Sequence, residues 1–567
     1  MRKRWGCVLL SALLLSASAL CACNKDSEEY VSAASNIKTR TVTLLAITDE
    51  STTAEGIARA EALMNSISKS TYKTQVKLVL KTADEYEDYI NELYAYQDKM
   101  KAEAEEQAKL QRQEAKKQKA EAASRAAAAK VKSKWVEKAE TEEVTTEEPE
   151  ETVLDEYGRQ VLKYPEAAEY QADIVFMTGV DMFHRFYNKG YLMEVNEEIL
   201  SASNAKKDLS KYIYPTFYDA GKVGESIYAY ANNHLLDEYT YLLVDKTLAN
   251  KYQFNPASVQ QITDCEAFLD QVKRSEPNYT PINEIPEMAY TYTFGGGVSI
   301  LGAITDSLYK ATAKVTLTNL FSDSRVISYY AMKDKCEQQG YVSNGSANEQ
   351  YAIQVVKGYY NSPETENWDD RYYVVTYEKP VHQNESVYAG LFGISSYSAN
   401  PARAFEIINL LNTSANFVNA FAYGLEGTDY TLNDDGTAHR LNAGYSMKLE
   451  YCGNNYMAYV PEGKPANLWE ISKVQNLSDY TTGDSPFLGM SLESGEKMYQ
   501  EVVTAYKQLN TEYVQRLESA TDKAAFLQSV RDALSRNIVL SSAMNESEAS
   551  SIASLYSMYH ETLYGGT

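Results

Sequence analysis

The chain has 567 residues, of which 44% are apolar, so it is long enough for two or three domains with a large core. It carries 78 acidic and 54 basic residues and a formal net charge of −24, which argues against nucleic acid or an anionic membrane surface as its main partner. Tyrosine outnumbers phenylalanine by 47 to 14. A ring that keeps a hydroxyl suits a sugar site, although a general preference of secreted proteins for tyrosine explains the number as well.

The N-terminus has the pattern of a bacterial export signal. A basic start at Arg2-Lys3-Arg4 precedes an apolar run from Val8 to Leu20 that is too short to span a bilayer. The run ends in Leu20-Cys21-Ala22-Cys23, in which only Cys23 has the spacing of a lipidation site. We therefore predict a lipoprotein signal peptide over 1–22, lipidation at Cys23, a tether over 23–39 and a place on the outer face of a Gram-positive cell membrane.

Three cysteines remain beyond the leader, namely Cys265, Cys336 and Cys452. They are far apart in the sequence and no Cys-x-x-Cys pair occurs, so neither a zinc site nor a redox dithiol is indicated. At most one disulfide can form, and buried free thiols are the favoured state.

The first elements form a βαβ unit. Alternation predicts strands over 41–47 and 76–80, with an amphipathic helix over 53–69 between them that begins at the capping residues Thr52 and Thr53. This order is typical of an α/β lobe.

A long insertion is predicted over 98–164. Residues 99–130 are nearly all Ala, Glu, Lys, Gln and Arg, which strongly favours a helix, and seven glutamates between 140 and 151 favour disorder. Apolar residues are too sparse for a coiled-coil seam. The insertion is either a docking arm for an envelope partner or a solvated insertion that the fold tolerates, and its composition favours the second.

The stretch around residue 175 is the most informative. The apolar run Ile174–Met177 predicts a strand buried on both faces, and Thr178-Gly179 follow at its carboxyl end, where open α/β sheets place ligand crevices. Phe183, Phe186 and Tyr187 then recur at helical spacing, and Gly190 predicts the end of that helix.

This stretch, together with the sequel Gly-Tyr-Leu-Met-Glu-Val-Asn over 190–196, resembles the family 1 extracellular solute-binding proteins of bacterial ABC importers. Further segments are similar to the family in the same order. They are a Gly-Lys segment over 221–233 with Ala231 in place of a proline, a first hinge strand over 241–246, and Ile-Ser-Ser-Tyr-Ser-Ala-Asn-Pro over 394–401, taken as a second hinge strand and a capped helix. Residues 423–430 resemble the Tyr-Gly-Ile-Glu-Gly-x-x-Tyr motif of a lipoprotein subgroup.

The resemblance implies an α/β protein with a two-lobed, periplasmic-binding-protein-like (type II) fold, hinge strands and the helical insertion. Lobe 1 is expected to begin with residues 40–97 and 165–242, and lobe 2 with 243–390. Residues 391–484 are expected to return to lobe 1 and to supply hinge and cleft segments, and 485–567 to form C-terminal helices.

The resemblance also implies a function. The expected protein is a lipid-anchored, monomeric binding protein that captures a small solute, typically an oligosaccharide, and delivers it to ABC permease subunits without catalysis, cofactor, metal or nucleic acid. Two alternatives are a lipid-anchored carbohydrate enzyme and a surface scaffold that works through its insertion. Hydrolase motifs are absent, which counts against the enzyme. Asn433–Gly436 hints at a calcium loop, but Thr431 and Asn442 occupy the first and twelfth positions, where such a loop needs acidic residues, so the segment predicts a hairpin turn instead.

The predicted ligand-binding residues follow the carboxyl ends of strands, because the crevice of an open α/β sheet lies there. Carboxylate and amide groups would bind sugar hydroxyls, and rings would pack on sugar faces. Asp181 could instead cap the following helix, and Tyr239 could belong to the core. Trp469, which follows a strand expected at Gly453–Tyr456, would close the far wall or pack in the core. The full predicted set is Thr178, Gly179, Asp181, Asn232, Asn233, Tyr239, Tyr241 and Trp469.

Overall fold

The structure is a computed structural model. It describes residues 39–132, 153–154, 160–161, 172–293, 301–305, 315–343, 345, 349–477, 481, 483–485, 487–491, 511 and 514–536. The predicted lipidation site at Cys23 and the acidic run over 140–151 lie outside the described residues. Within the described ranges, no helix is both long enough and apolar enough to cross a membrane.

The strands, in chain order, are β1 (Arg40–Ile47), β2 (Thr74–Lys81), β3 (Val153–Leu154), β4 (Gln160–Val161), β5 (Ile174–Met177), β6 (Lys222–Val223), β7 (Ser226–Ile227), β8 (Ala229–Ala231), β9 (Tyr239–Asp245), β10 (Thr280–Ile282), β11 (Thr291–Thr293), β12 (Leu301–Thr305), β13 (Val315–Asn319), β14 (Tyr351–Gly358), β15 (Tyr372–Glu378), β16 (Leu391–Ile394), β17 (Tyr430–Leu432) and β18 (Ala438–Arg440).

The described α-helices are α1 (Ala54–Tyr72), α2 (Ala83–Lys132), α3 (Val180–Asn188), α4 (Glu197–Ala202), α5 (Pro215–Ala220), α6 (Lys246–Tyr252), α7 (Glu266–Ser275), α8 (Ser324–Gln338), α9 (Ser362–Thr365), α10 (Asn384–Val387), α11 (Pro401–Thr413), α12 (Ala415–Tyr423), α13 (Leu468–Gln475) and α14 (Lys523–Arg536).

Lobe 1, as we define it, is built on a five-stranded sheet with the order β2-β1-β5-β16-β8. β2, β1 and β5 are parallel, whereas β16 runs antiparallel to both β5 and β8. Every residue of β5 and β16 is buried, because helices cover the sheet on its faces and a central strand of such a sheet must be apolar throughout. The predicted strand at Ile174–Met177 is therefore confirmed with its bounds.

Lobe 2 is built on a four-stranded sheet with the order β10-β14-β9-β15. β9 pairs antiparallel with both β14 and β15. The core of lobe 2 includes Leu242, Ile353 and Phe268. The chain passes from lobe 1 to lobe 2 through residues 232–238 and returns through residues 379–390, since β8 and β16 belong to one sheet and β9 and β15 to the other. Two adjacent crossings make a hinge between the lobes geometrically available.

Local sequence signals place several of these elements correctly. The Thr53 side chain accepts a hydrogen bond from Gly56 N–H and caps α1, as predicted. The turn at Asp435-Gly436 joins β17 to β18, which confirms the hairpin. Helix α11 was also predicted to be capped. Asn400 occupies its N-cap position, but the Asn400 side chain makes no capping hydrogen bond. Cys265, Cys336 and Cys452 are free and buried, as expected.

The helical insertion begins inside lobe 1. Helix α2 is continuous over 50 residues, and its first turns bury Tyr86, Ile90 and Leu93 in the lobe 1 core. The Tyr94 hydroxyl lies 2.8 Å from both the Tyr191 carbonyl and Ser395 Oγ. Beyond residue 100, the side chains that are described are almost all exposed, so this part of the helix extends away from the lobe. The predicted helix is confirmed.

The C-terminal part departs from the prediction in one place. The segment Asn455–Met457 is a 3₁₀ turn, so the strand expected at Gly453–Tyr456 is wrong. The Asn454 side chain accepts from Tyr456 N–H, a local bond that favours a turn over an extended strand. Further on, α14 contributes Leu527 and Val530 to a cluster with Phe321 of lobe 2, so this helix packs on the second lobe.

Candidate functional site

The candidate site lies at the carboxyl edge of the lobe 1 sheet, on the side where the chain crosses to lobe 2. β1, β5 and β8 all end at this edge, and the antiparallel β16 begins there. In open α/β sheets this edge carries the ligand crevice, because the loops that follow the strands converge there.

The turn after β5 is the best-formed part of this edge. Gly179 has φ = 81°, a conformation that favours glycine, and a Cβ added there would meet no atom within 4 Å. The Gly179 N–H donates to the Tyr388 carbonyl at 2.7 Å, which joins the turn to the returning crossing. Thr178 and Gly179 are both partly exposed. The turn therefore presents backbone and a hydroxyl to open space.

Asp181 lies in the first turn of α3, where the helix dipole stabilises a carboxylate. Its Oδ1 accepts a hydrogen bond from Ser491 Oγ at 2.6 Å. The capping position of α3 is Gly179, which has no side chain that could cap the helix. Asp181 thus ties the turn to the segment 487–491 and remains partly exposed beside it.

His184 is a buried residue of the same helix, α3. It is buried, and burial lowers the pKa of its imidazole to about 4, although a bond with the Gly489 backbone and the nearby Asp181 charge oppose the shift. The ring is therefore neutral at physiological pH. Its contact with Gly489 holds α3 and the segment 487–491 together.

The two asparagines after β8 lie inside the protein. Asn233 Oδ1 accepts from Tyr214 N–H at 3.0 Å, and its Nδ2 donates to the Tyr212 carbonyl at 2.6 Å. Asn232 Nδ2 donates to the Glu450 carbonyl at 2.9 Å, and its Oδ1 is buried without a partner in the described part of the chain. Both side chains are 0% exposed. In this conformation they fasten loops, and their contact with a ligand stays a prediction.

The predicted aromatic residues are also buried. The rings of Tyr239 and Tyr241 are stacked with centroids 5.5 Å apart, and the Tyr241 hydroxyl donates to the Tyr359 carbonyl. Trp469 Nε1 donates to the Ala458 carbonyl at 2.9 Å, and the indole packs with Tyr359 in the core between the lobes. The sequence left open whether Tyr239 and Trp469 pack in the core. In this structure both residues are buried.

A segment that the sequence did not nominate covers the edge. Residues 443–457, which we call the edge segment, run from the end of β1 to the end of β8. Gly444 O accepts from Thr53 N–H at 2.8 Å at one end, and Asn455 N–H donates to Asn233 O at 2.8 Å at the other. Between them, Glu450 O accepts from Asn232. The edge segment therefore separates the two asparagines from solvent.

The loop after β1 was also missed. Ser446 Oγ donates to Asp49 Oδ2 at 2.7 Å, and Thr48 Oγ1 donates to the Ser446 carbonyl at 2.9 Å. The rule that nominated Thr178 would have found this loop, because β1 ends at the same edge as β5. By contrast, nothing in the sequence indicates that a segment 400 residues later lies on it.

Lobe 2 presents a carboxylate close to the crossings. Burial raises the pKa of Glu378 to about 7, and the charges of Asp237 and Glu287 add to the shift. A hydrogen bond from Tyr290 N–H and the Lys357 ammonium oppose it. Glu378 ends β15 opposite Thr240 of β9, at the end of the sheet nearest lobe 1. Its carboxyl can therefore change protonation near neutral pH.

A cavity of about 350 Å³ lies beside the returning crossing, between α5, α10 and the segment 484–489. Its lining is polar and includes Thr216, Asp219, Lys222, Tyr388 and Asp484. Tyr388 connects it to the Gly179 turn. Among the described residues, no group of three or more His, Cys, Asp or Glu side chains could hold a metal ion.

The arrangement of two sheets, two crossings and an edge between them defines a class: the two-lobed solute-binding protein fold. A solved N-glycan transport solute binding protein from Streptococcus pneumoniae is similar over 92% of this chain and 98% of that one, with a TM-score of 0.53 and 16% identity. An extracellular solute-binding protein from Bifidobacterium longum subsp. infantis covers 93% of this chain and 99% of its own, with a TM-score of 0.43 and 12% identity. The first of these two similarities, together with the two sheets, confirms the α/β, two-lobed fold class predicted from the sequence.

A comparison of sequences also finds a relative. A carbohydrate ABC transporter substrate-binding protein of S. pneumoniae serotype 4 is 24% identical over 308 residues. The match covers 50% of this chain and 60% of that protein, so the chain spans about three fifths of its curated relative. No protein-family model matches the sequence.

Proposed function

We propose that this chain is the extracellular solute-binding component of a carbohydrate ABC importer. It captures a neutral oligosaccharide between its two lobes and delivers it to permease subunits, without covalent chemistry. The observation that carries the proposal is the carboxyl edge of the lobe 1 sheet, which faces two interlobe crossings and is bordered by the open Gly179 turn. The similarity to a carbohydrate ABC transporter substrate-binding protein supports the same conclusion.

The mechanism follows from the crossings. Closure of two lobes about residues 232–238 and 379–390 would remove a bound sugar from water on both sides, and each carboxylate or backbone group near it would bind more strongly in the drier site. Thr178 and Asp181 supply hydroxyl and carboxylate groups for sugar hydroxyls, and the Gly179 turn supplies backbone. We assign the first contacts of the ligand to these three residues.

Calorimetric titration with maltotriose and with the disaccharide mannosyl-N-acetylglucosamine tests the function. We expect at least one to bind, and we expect Asp181→Ala to weaken that binding by roughly tenfold, about 1.4 kcal/mol. Asp434→Ala is the matched control, because Asp434 is an exposed carboxylate in the β17–β18 turn. Binding of neither sugar, or cleavage of either, would contradict the proposal.

We further propose that Cys23 carries the lipid anchor and that the mature protein stays on the outer face of the membrane of a Gram-positive cell. The spacing Leu20-Cys21-Ala22-Cys23 supports this assignment. Cell fractionation of a Cys23→Ser variant is the measurement, and the variant should be released into the medium or retain its leader without lipid label. A lipid-labelled, membrane-bound Cys23→Ser protein would point to another anchor.

A further inference from the structure

The edge segment decides which side chains of lobe 1 can reach a ligand. Because it bonds to Asn232 and Asn233 and buries both, a sugar approaching the carboxyl edge meets residues 443–457 before it meets the strand ends. The residues that line the site must therefore include members of this segment.

The middle of the edge segment is a 3₁₀ turn, Leu449–Tyr451, that lies at the junction of the lobes. Leu449 packs against the cluster that contains Tyr359 of lobe 2. On the other side of the turn, Cys452 is fully buried and its Sγ lies 3.2 Å from the Lys448 carbonyl. The turn is thus held from both ends.

Tyr451 stands directly over the central strand. Its ring centroid is 4.8 Å from that of Phe176, the second-last residue of β5, with an angle of 49° between the planes. Phe176 itself is fully buried, so it supports the Tyr451 ring from beneath. Thr178 follows two residues after Phe176. Tyr451 is therefore next to the turn to which we assigned the first ligand contacts.

Tyr451 differs from the other tyrosines near the crossings. It is partly exposed, and within the described residues its hydroxyl has no hydrogen-bond partner. By contrast, the Tyr241 hydroxyl donates to the Tyr359 carbonyl. The Tyr456 hydroxyl is hydrogen-bonded to Ser472 Oγ and accepts from Asn476 Nδ2. The Lys448 ammonium lies 5.3 Å from the Tyr451 ring centroid. Lys448 is exposed and makes no ion pair with the described residues, so a ligand can displace it at little cost.

We propose that Tyr451 is the ring on which a sugar of the bound oligosaccharide packs, and that its hydroxyl binds a sugar hydroxyl. The assignment rests on the proposed function and names the residue that the edge segment contributes to it. A rigid aromatic ring with a free hydroxyl gives both an apolar face and a polar end, which is what a pyranose offers in return. Phe176 keeps the ring at a fixed height above the strand.

Calorimetry with maltotriose and mannosyl-N-acetylglucosamine tests this assignment. For each sugar that binds the wild type, Tyr451→Ala should lose roughly tenfold or more in affinity, while Tyr451→Phe keeps the ring and should lose less than about fivefold. Tyr373→Ala is the matched control, because Tyr373 is an exposed tyrosine under Lys246 at the opposite end of the lobe 2 sheet. It should bind as the wild type does.

The thermal midpoint of each variant separates binding from folding. If Tyr451→Ala is destabilised, the comparison rests on Tyr451→Leu, which refills the space over Phe176 without an aromatic face and should still lose affinity. Wild-type affinity in a folded Tyr451→Leu protein would overturn the assignment of Tyr451 and leave the proposed function intact. Failure of both sugars to bind the wild type would overturn both.

Discussion

Arg403 and Glu406 lie one turn apart on α11 and form a buried ion pair in which Arg403 Nη1 is 2.9 and 3.0 Å from the two carboxylate oxygens. Glu406 is 0% exposed. Its oxygens also accept from the Thr74 hydroxyl and from the backbone and side-chain nitrogens of Asn204. One carboxylate therefore joins β2, the segment after α4 and the helix after the second crossing.

Removing this carboxylate should destabilise lobe 1. We expect Glu406→Ala to lower the free energy of unfolding by about 3–5 kcal/mol, because it leaves the Arg403 guanidinium buried without a counter-charge. Urea unfolding measures the change. An Arg403→Met, Glu406→Leu double variant removes both charges and should lose much less, and an equal loss in the two variants would contradict the ion-pair explanation.

Asp173 gives the stability a pH dependence. It is fully buried, and burial raises the pKa of its carboxyl to about 6, although the Ser398 hydroxyl and Thr43 N–H both donate to it. Below about pH 3 the carboxyl is mostly protonated in the folded and the unfolded chain. As the pH rises from 4 to 6, the unfolded chain loses the proton first, so stability falls by about 3 kcal/mol.

The measurement is the free energy of unfolding at several pH values in the wild type and in Asp173→Asn. The variant cannot titrate at this position, so the difference between the two proteins should change across pH 4–6 and be constant above pH 7. A constant difference over the whole range would show that Asp173 ionises normally. His184 shifts stability in the opposite direction, because its lowered pKa disfavours the folded chain in acid, but it contributes equally to both proteins.

Gly56 tests how closely α1 approaches the edge segment. A Cβ at Gly56 would lie 2.1 Å from the Gly444 carbonyl oxygen, which is backbone and cannot rotate away. We expect Gly56→Ala to lower the thermal midpoint and to weaken sugar binding, because it displaces residues 443–447. Alanine favours a helix by about 1 kcal/mol over glycine, so a gain in stability with unchanged affinity would contradict the predicted clash.

The insertion should be dispensable for binding. Replacing residues 101–160 by a short Gly/Ser linker keeps the buried turns of α2 and the contact of the Tyr397 hydroxyl with Asp98. We expect the affinity for sugar to stay within about threefold, under ~1 kcal/mol, because the described side chains beyond residue 100 are almost all exposed and belong to neither lobe. A tenfold loss, measured by the same calorimetry, would place the insertion in the site.

Strands with strong local signals could be predicted from the sequence. Ile174–Met177 is a continuous apolar run that ends at the polar residues Asp173 and Thr178, so its composition indicates its bounds. The Gly179 turn was predictable too, since its position after a central strand is a topological rule and its glycine is required by φ = 81°. These features depend on residues that are neighbours in the sequence.

The contents of the edge were harder to predict, because they depend on contacts between distant residues. Asn232 does follow a strand at the carboxyl edge, yet its side-chain Nδ2 donates to the carbonyl of Glu450, which lies 218 residues later. Nothing in the sequence separates Tyr451 from the other tyrosines of a tyrosine-rich chain, and the role that we propose for it depends on its position above Phe176. Gly444 and Gly453 have positive φ, so the edge segment has an irregular backbone. These glycines do not indicate where the edge segment lies in the fold.

The exposed length of α2 means that this protein has no single unfolding temperature. A helix of 50 residues is about 75 Å long. Its described side chains beyond residue 100 are almost all exposed, so intrinsic helix propensity and i,i+4 pairs such as Lys99 with Glu103 are its main support among the described residues. Such a helix melts gradually, by fraying, while two packed lobes melt cooperatively. Ellipticity at the helical band should therefore decline well before the calorimetric peak. Amide protons beyond residue 100 should exchange with solvent orders of magnitude faster than those of β5.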